Sequence, residues 1–189
     1  SYSDVNYGVM RGLVALGLFQ SKDEINRSPK QTYGEVRPGD IRYKDVNADG
    51  KIDDDDIVPI AHSNVPQIQY GFALEYRYKR WTISALFTGA AKVNFLYGGS
   101  GFYPFSGGEV GNVLSIVNDP KNRWTPAWYS GDPSTENPNA RFPRLTYGTN
   151  QNNNRASTFW LADGSYLRWK SLDISYRIGA NKVLRTVGI

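Results

Sequence analysis

The sequence predicts an all-β fold of antiparallel strands, on three observations. Residues 67–89 alternate strictly: Ile68, Tyr70, Phe72, Leu74, Tyr76 and Tyr78 interleave with Gln67, Gln69, Gly71, Ala73, Glu75 and Arg77, the period of two that gives a strand one apolar face. Alternation returns over 166–178, where Leu172, Ile174, Tyr176 and Ile178 share one face and Asp173, Ser175 and Arg177 the other. Between these strands, residues 95–156 are rich in Gly, Asn and Pro and read as a long connection, improbable inside a compact domain unless functional or disordered.

Taken in order, residues 1–38 read as loop and short helix, with Ser21 and Glu24 spaced as a capping box around one or two turns. "NRSP" and "VRPGD" then break the chain. The run "DVNADGKIDDDD", residues 45–56, has the register of a calcium loop, which needs oxygens at positions one, three, five, seven and twelve and Gly at six. Asp45, Asn47 and Asp49 offer side-chain oxygens, Gly50 makes the turn, Lys51 offers its carbonyl and Asp56 closes the loop, with Asp53 in support. Asp56 stands where tighter loops carry a bidentate Glu, so weaker binding is expected. Asp, Asn and Gly also fill ordinary turns. Against that bland reading, four successive Asp side chains, 53–56, repel one another without a cation nearby.

The 67–89 stretch folds back near Lys79 and Arg80, pairing with Trp81, Ile83, Ala85, Phe87 and Gly89 in a long hairpin. Such a hairpin suits a soluble sheet over a core. It equally suits a spanning pair of about eleven residues per strand with Tyr76, Tyr78 and Trp81 as an interfacial girdle. In the last strand, Leu172, Ile174, Tyr176 and Ile178 share one face, and Arg168 and Lys170 interrupt its upper half, so only the lower half is expected to face lipid. Trp124, Trp128 and Tyr129 in the long connection are candidate ligand or partner contacts, as stacking rings or interface anchors.

Composition bounds the function. Net charge is +4 with dispersed basic residues, and no basic arm for nucleic acid is present. Cysteine is absent, which rules out disulfides and thiolate chemistry. The longest apolar stretch, "GLVALGLF", is far below a spanning helix, which leaves a β-barrel open. No signal peptide is evident, so any targeting sequence is expected upstream or removed. His62, the one histidine, reads as a loop residue without a nucleophile, and Asp163 and Asp173 show no paired acid, so no catalytic residue is assigned and no enzyme is expected.

"GLFQSKDEI", "VRPGDIRYKDVNADGKIDDDD", "NVPQIQYGFALEYRYKRWTISALFTG", "NRWTPAW" with "NPNARFPRL", and "STFWLADGSYLRWKSLDISYRI" together resemble, in order and over nearly the whole chain, the C-terminal part of the SusC/RagA-like TonB-dependent outer-membrane transporters of Bacteroidetes. The resemblance implies part of a transmembrane β-barrel with long extracellular loops. It implies uptake of oligosaccharides or peptides through the bacterial outer membrane, a SusD-like surface lipoprotein as lid, and energy from TonB through a plug region absent from this chain. The alternative is a soluble, dockerin-like calcium-binding β-module of a secreted glycan-utilisation system.

Overall fold

The computed structural model describes residues 8–106, 108 and 112–178. The chain divides into two compact units, residues 1–63 with 94–163 and residues 64–93 with 164–189. The all-β expectation holds: strands dominate, every helix is short, and all sheet pairings but one are antiparallel among the described residues. None of these helices is long and apolar enough to cross a membrane.

The first unit is a set of two-stranded ladders. β1 (Val9–Gly12) pairs antiparallel with β6 (Val58–His62), and β2 (Ala15–Leu18) with β4 (Ile41–Tyr43). β3 (Lys30–Gln31) runs parallel to β5 (Lys51–Ile52), and β9 (Asn94–Leu96) pairs antiparallel with β10 (Leu161–Asp163). The helix α1 (Lys22–Arg27) starts where "SKDE" places it, with Glu24 N donating to Ser21 Oγ at 3.2 Å. The return bond lands one residue early, because Glu24 Oε2 accepts from Gln20 N at 2.7 Å rather than from the cap itself. His62 ends β6 instead of lying in a loop, its N–H donating to Asn94 Oδ1 at 3.1 Å.

The long connection is not a structureless loop. Val117, Trp124, Ala140, Phe142 and Trp160 close over Leu13, Leu18, Ile41, Tyr43 and Ile52 as one apolar core. Ladders this short leave backbone groups unpaired, and buried side-chain amides complete them. Asn153 Oδ1 accepts from Ile41 N at 2.9 Å, Gln31 Oε1 accepts from Tyr43 N at 2.7 Å, and Asn152 Nδ2 donates to Ile41 O at 3.0 Å. The polar "QNNNR" run is thus internal scaffolding, since a buried backbone donor or acceptor must find a partner.

The second unit is a single antiparallel sheet of three eleven-residue strands, with β8 (Trp81–Ala91) between β7 (Ile68–Tyr78) and β11 (Tyr166–Tyr176). Two residues join β7 to β8, and Lys79 takes the left-handed conformation there, φ 54°. Cross-strand partners place Tyr70, Phe72, Leu74, Tyr76 and Tyr78 on the face of Gly89, Phe87, Ala85, Ile83 and Trp81. β11 adds Leu167, Trp169, Leu172, Ile174 and Tyr176 to that face. Aromatic rings stack across all three strands, Phe72 to Phe87 at 5.0 Å and Phe87 to Trp169 at 6.4 Å between centroids.

β11 departs from the sequence expectation. Its ladder slips between Trp169 and Ser171, leaving Lys170 without a cross-strand partner. This bulge inverts the parity of the upper half, so Arg168 lies opposite Thr88 on the polar face while Leu167 and Trp169 join the apolar one. The whole strand, and not its lower half alone, therefore contributes to the apolar face. Deleting Lys170 is expected to remove the bulge and leave a straight ladder, with Leu167 and Trp169 still on the apolar face and Arg168 still on the polar one. Refolding into detergent or lipid, followed by chemical unfolding, checks this; a deletion variant much less stable than the parent would contradict the assignment of Lys170 as the bulged residue.

Candidate functional site

The acidic loop is held by its own groups. Asp45 accepts from Ala48 N at 2.6 Å and Gly50 N at 2.8 Å, Asn47 Oδ1 from Asp49 N at 3.1 Å, and Asp49 Oδ1 from Lys51 N at 3.0 Å. The chain turns through positive φ at Ala48 (62°) and Gly50 (86°). Asp53 caps the single turn Asp54–Asp56 through Asp55 N at 3.0 Å. Asp56 is fully buried and returns to the start of the loop, accepting from Val46 N at 2.6 Å and from Asp53 N at 3.1 Å. The cation that the Asp run demands is supplied by the chain: Lys51 Nζ lies 2.5 Å from Asp53 and 3.4 Å from Asp49, and Arg155 Nη1 lies 3.8 Å from Asp54.

Of the expected calcium ligands Asp45, Asn47, Asp49, Lys51, Asp53 and Asp56, the loop therefore gathers all six in sequence but turns most of their oxygens to backbone N–H groups. Among the described residues no three Asp, Glu or His side chains converge as a ligand set. A divalent ion entering here must take Asp49 and Asp53 from the Lys51 ammonium.

Electrostatics bear the same mark. The hydrogen bond from Lys51 holds the Asp53 carboxyl below its ordinary value, and the bonds to Asp53 and Asp49 push the Lys51 ammonium from 10.5 up to about 12. A depressed acid stabilises the fold above its ordinary pKa and loses that contribution as pH falls through its folded value. A raised amine stabilises it below the ordinary 10.5 and loses that as pH rises through about 12. The loop is accordingly expected to keep its geometry through the neutral range and to loosen at both extremes. Lys51→Met should raise the Asp53 pKa toward the usual carboxylate range, read by NMR titration; an unmoved Asp53 pKa would exclude the pair.

The second site is an aromatic cleft of about 520 Å³ within the first unit. It brings together Trp124, Trp128 and Tyr129, with Phe105 and Tyr147 also lining it. The three expected contact residues differ in exposure. Trp124 is buried in the core at 5% exposure, so it is a wall of the cleft and not a free anchor. Its indole N–H donates to Gln20 Oε1 at 3.3 Å, and its ring packs on Gly39, where a Cβ would come within 2.3 Å of it. Trp128, 84% exposed, and Tyr129 stand on the one-turn helix α3 (Ala127–Ser130), which ends at Gly131 in left-handed geometry, φ 74°. Their rings meet edge to face at 5.9 Å.

Three arginines complete the lining, Arg37, Arg123 and Arg144. Sequence reasoning missed Arg37 and Arg144 because they are distant in the chain from the aromatic run, and Arg123, next to Trp124, because nothing in its neighbours marks it as buried. Arg144 donates to the fully buried Asp40 at 2.9 Å, and Arg37 pairs with the exposed Glu35 at 3.0 Å, holding that carboxyl below its ordinary value. Arg123 is buried and donates to the carbonyls of Val117 and Asn118, both at 2.7 Å. These acceptors close α2 (Ser115–Asn118) and carry no charge. Comparison with known protein families and with curated proteins finds no match to this chain.

Proposed function

We propose that this chain forms part of the wall and external loops of an outer-membrane nutrient transporter, one that imports oligosaccharides or peptides with a SusD-like lipoprotein and TonB-supplied energy. The observation that carries the proposal is the two-faced sheet. Leu74, Tyr76, Leu167, Trp169 and Ile174 are all exposed on a face without a charged residue, while Glu75, Arg77, Ser84, Thr88, Arg168 and Asp173 lie on the other. A soluble sheet covers such a face with a core. Lipid covers it in a barrel wall.

Dimensions support the same reading. Eleven residues at about 3.4 Å each give about 37 Å of strand, and a tilt of about 45° projects that to about 26 Å, near the height of the apolar band of outer-membrane barrels. Tyr76, Tyr78, Trp81 and Tyr176 gather at the end with the two-residue turn, as a girdle on the periplasmic side requires. The long excursion from β8 to β11 then belongs outside the cell. The open backbone edges of β7 and β11 call for further strands, because an unpaired edge in lipid is costly. Strands rather than a helix pair flank the acidic loop, which counts against the dockerin-like alternative.

In this reading a charge on the lipid face costs about 2–4 kcal/mol near the midplane and little on the lumen face. Leu74→Arg is expected to block heat-modifiable assembly in outer membranes while Ala73→Arg assembles. Equal behaviour of the two would overturn the orientation.

Calcium belongs to the proposal as the ion of the acidic loop, through Asp45, Asn47, Asp49 and Asp56 with the Lys51 carbonyl. The ligand register and the return of Asp56 to the loop's first turn support it. Since the Lys51 ammonium competes for Asp49 and Asp53, Lys51→Ala should tighten calcium binding and Asp45→Ala with Asp49→Ala should abolish it, both measured by calorimetry. Absence of heat at millimolar calcium in parent and Lys51→Ala alike would remove the site.

A further inference from the structure

We infer that the aromatic cleft binds an acidic sugar residue, its ring on Trp128 and Tyr129 and its carboxylate toward the guanidinium groups of Arg37 and Arg123. The inference deepens the reading of the cleft as a ligand-contacting surface of a nutrient transporter.

The argument begins with charge. Arg37, Arg123 and Arg144 line the cleft, and among the described lining residues there is no Asp or Glu. Arg144 is neutralised by Asp40, and Arg37 by a surface pair with Glu35 that water and other anions can exchange. Arg123 is different. It is 7% exposed and makes no ion pair among the described residues, its bonds going to two neutral carbonyls. A buried cation without a counter-ion is costly, and an anion arriving at the cleft relieves that cost.

Hydrogen-bonding capacity then narrows the class. Beyond its arginines, the side chains of the lining offer the indole N–H of Trp128 and the hydroxyls of Thr125, Tyr129 and Tyr147, and no carboxylate or amide. Thr125 already donates to Pro120 O at 3.1 Å. A peptide main chain brings one N–H donor per residue, each needing an acceptor when covered. The cleft is poor in acceptors and rich in donors, so an acceptor-rich ligand fits it better. The rings set the shape: Trp128 and Tyr129 stand at 84° to one another, and Phe105 and Tyr147 form a second tilted pair at 5.7 Å. Such faces pack the apolar C–H side of a pyranose, and about 520 Å³ lies within the usual range for small-ligand sites. The acid group meets the arginines while the remaining sugar hydroxyls face solvent.

The test titrates the detergent-solubilised protein with a galacturonate trimer, with the same trimer as its methyl ester, and with a tetraglutamate peptide, following tryptophan fluorescence and calorimetric heat. The acidic trimer should bind, the uncharged ester at least tenfold more weakly, and the peptide more weakly than the trimer. Trp128→Ala and Arg37→Gln alter exposed side chains, and each should weaken the trimer about tenfold with an unchanged circular dichroism spectrum. Equal affinity for trimer and ester overturns the charge argument, tighter binding of the peptide overturns the sugar, and indifference to Trp128→Ala overturns the site. No binding at millimolar trimer overturns the inference entire. Failure of the transporter reading shows elsewhere, in equal assembly of Leu74→Arg and Ala73→Arg, and leaves these titrations interpretable.

Discussion

The first unit depends on one buried carboxylate. Asp40 is fully inaccessible and accepts hydrogen bonds from Arg37 N at 2.8 Å, Arg144 Nη2 at 2.9 Å, Asn150 Nδ2 at 3.0 Å and Asn153 Nδ2 at 2.8 Å. Those partners come from two segments more than a hundred residues apart, so one side chain ties 37–40 to 144–153. Removing one partner of a buried ion pair typically costs about 3–5 kcal/mol, because the other charge is left stranded. The same contacts set two cleft arginines, Arg37 through its backbone and Arg144 through its guanidinium. The site is therefore tied down where it meets Asp40 and open at α3, where Trp128 and Tyr129 are exposed.

The sheet of the second unit obeys a different constraint. Its central strand β8 is paired on both sides while the outer edges of β7 and β11 stay open, and its apolar face is exposed among the described residues. The bulge at Lys170 keeps that face continuous: if the same residues alternated without a bulge, Arg168 and Lys170 would fall on the face of Phe87 and Leu172, and Trp169 would turn to the other. One unpaired residue thus separates the charged and apolar halves of β11. The stacked rings of Phe72, Phe87 and Trp169 are the product of that correction.

The acidic loop illustrates how a motif and its occupant are separate questions. Its register is complete, yet its carboxylates cap the loop's backbone and its charge is balanced by Lys51 and Arg155. In the calcium proposal an external ion contends with the Lys51 ammonium for Asp49 and Asp53.

Much of the fold was legible in the chain. Period-two alternation marked β7, β8 and the lower part of β11, the "SKDE" spacing marked the start of α1, and Lys79 with Arg80 marked the turn, because these features are local and obey the geometry of one element. Residues 95–156 were legible only as Gly-, Asn- and Pro-rich, and the burial of Trp124, Asn152 and Asn153 within them was not, since burial depends on which distant backbone edge lacks a partner. The aromatic members of the cleft were visible in sequence; its arginines were not, because Arg37 and Arg144 meet through Asp40, and Arg123 joins them through the packing of its neighbour Trp124 against Gly39. Parity in β11 was misread for a related reason: a bulge is settled by the neighbouring strand, and a single strand's pattern does not contain it. The sequence by itself determined the strands, the turn and the acidic loop, which follow from short-range sterics and periodicity. Tertiary structure alone decided the register of β11, the interior of the long connection and the composition of the cleft, since each depends on pairing groups that the chain holds far apart.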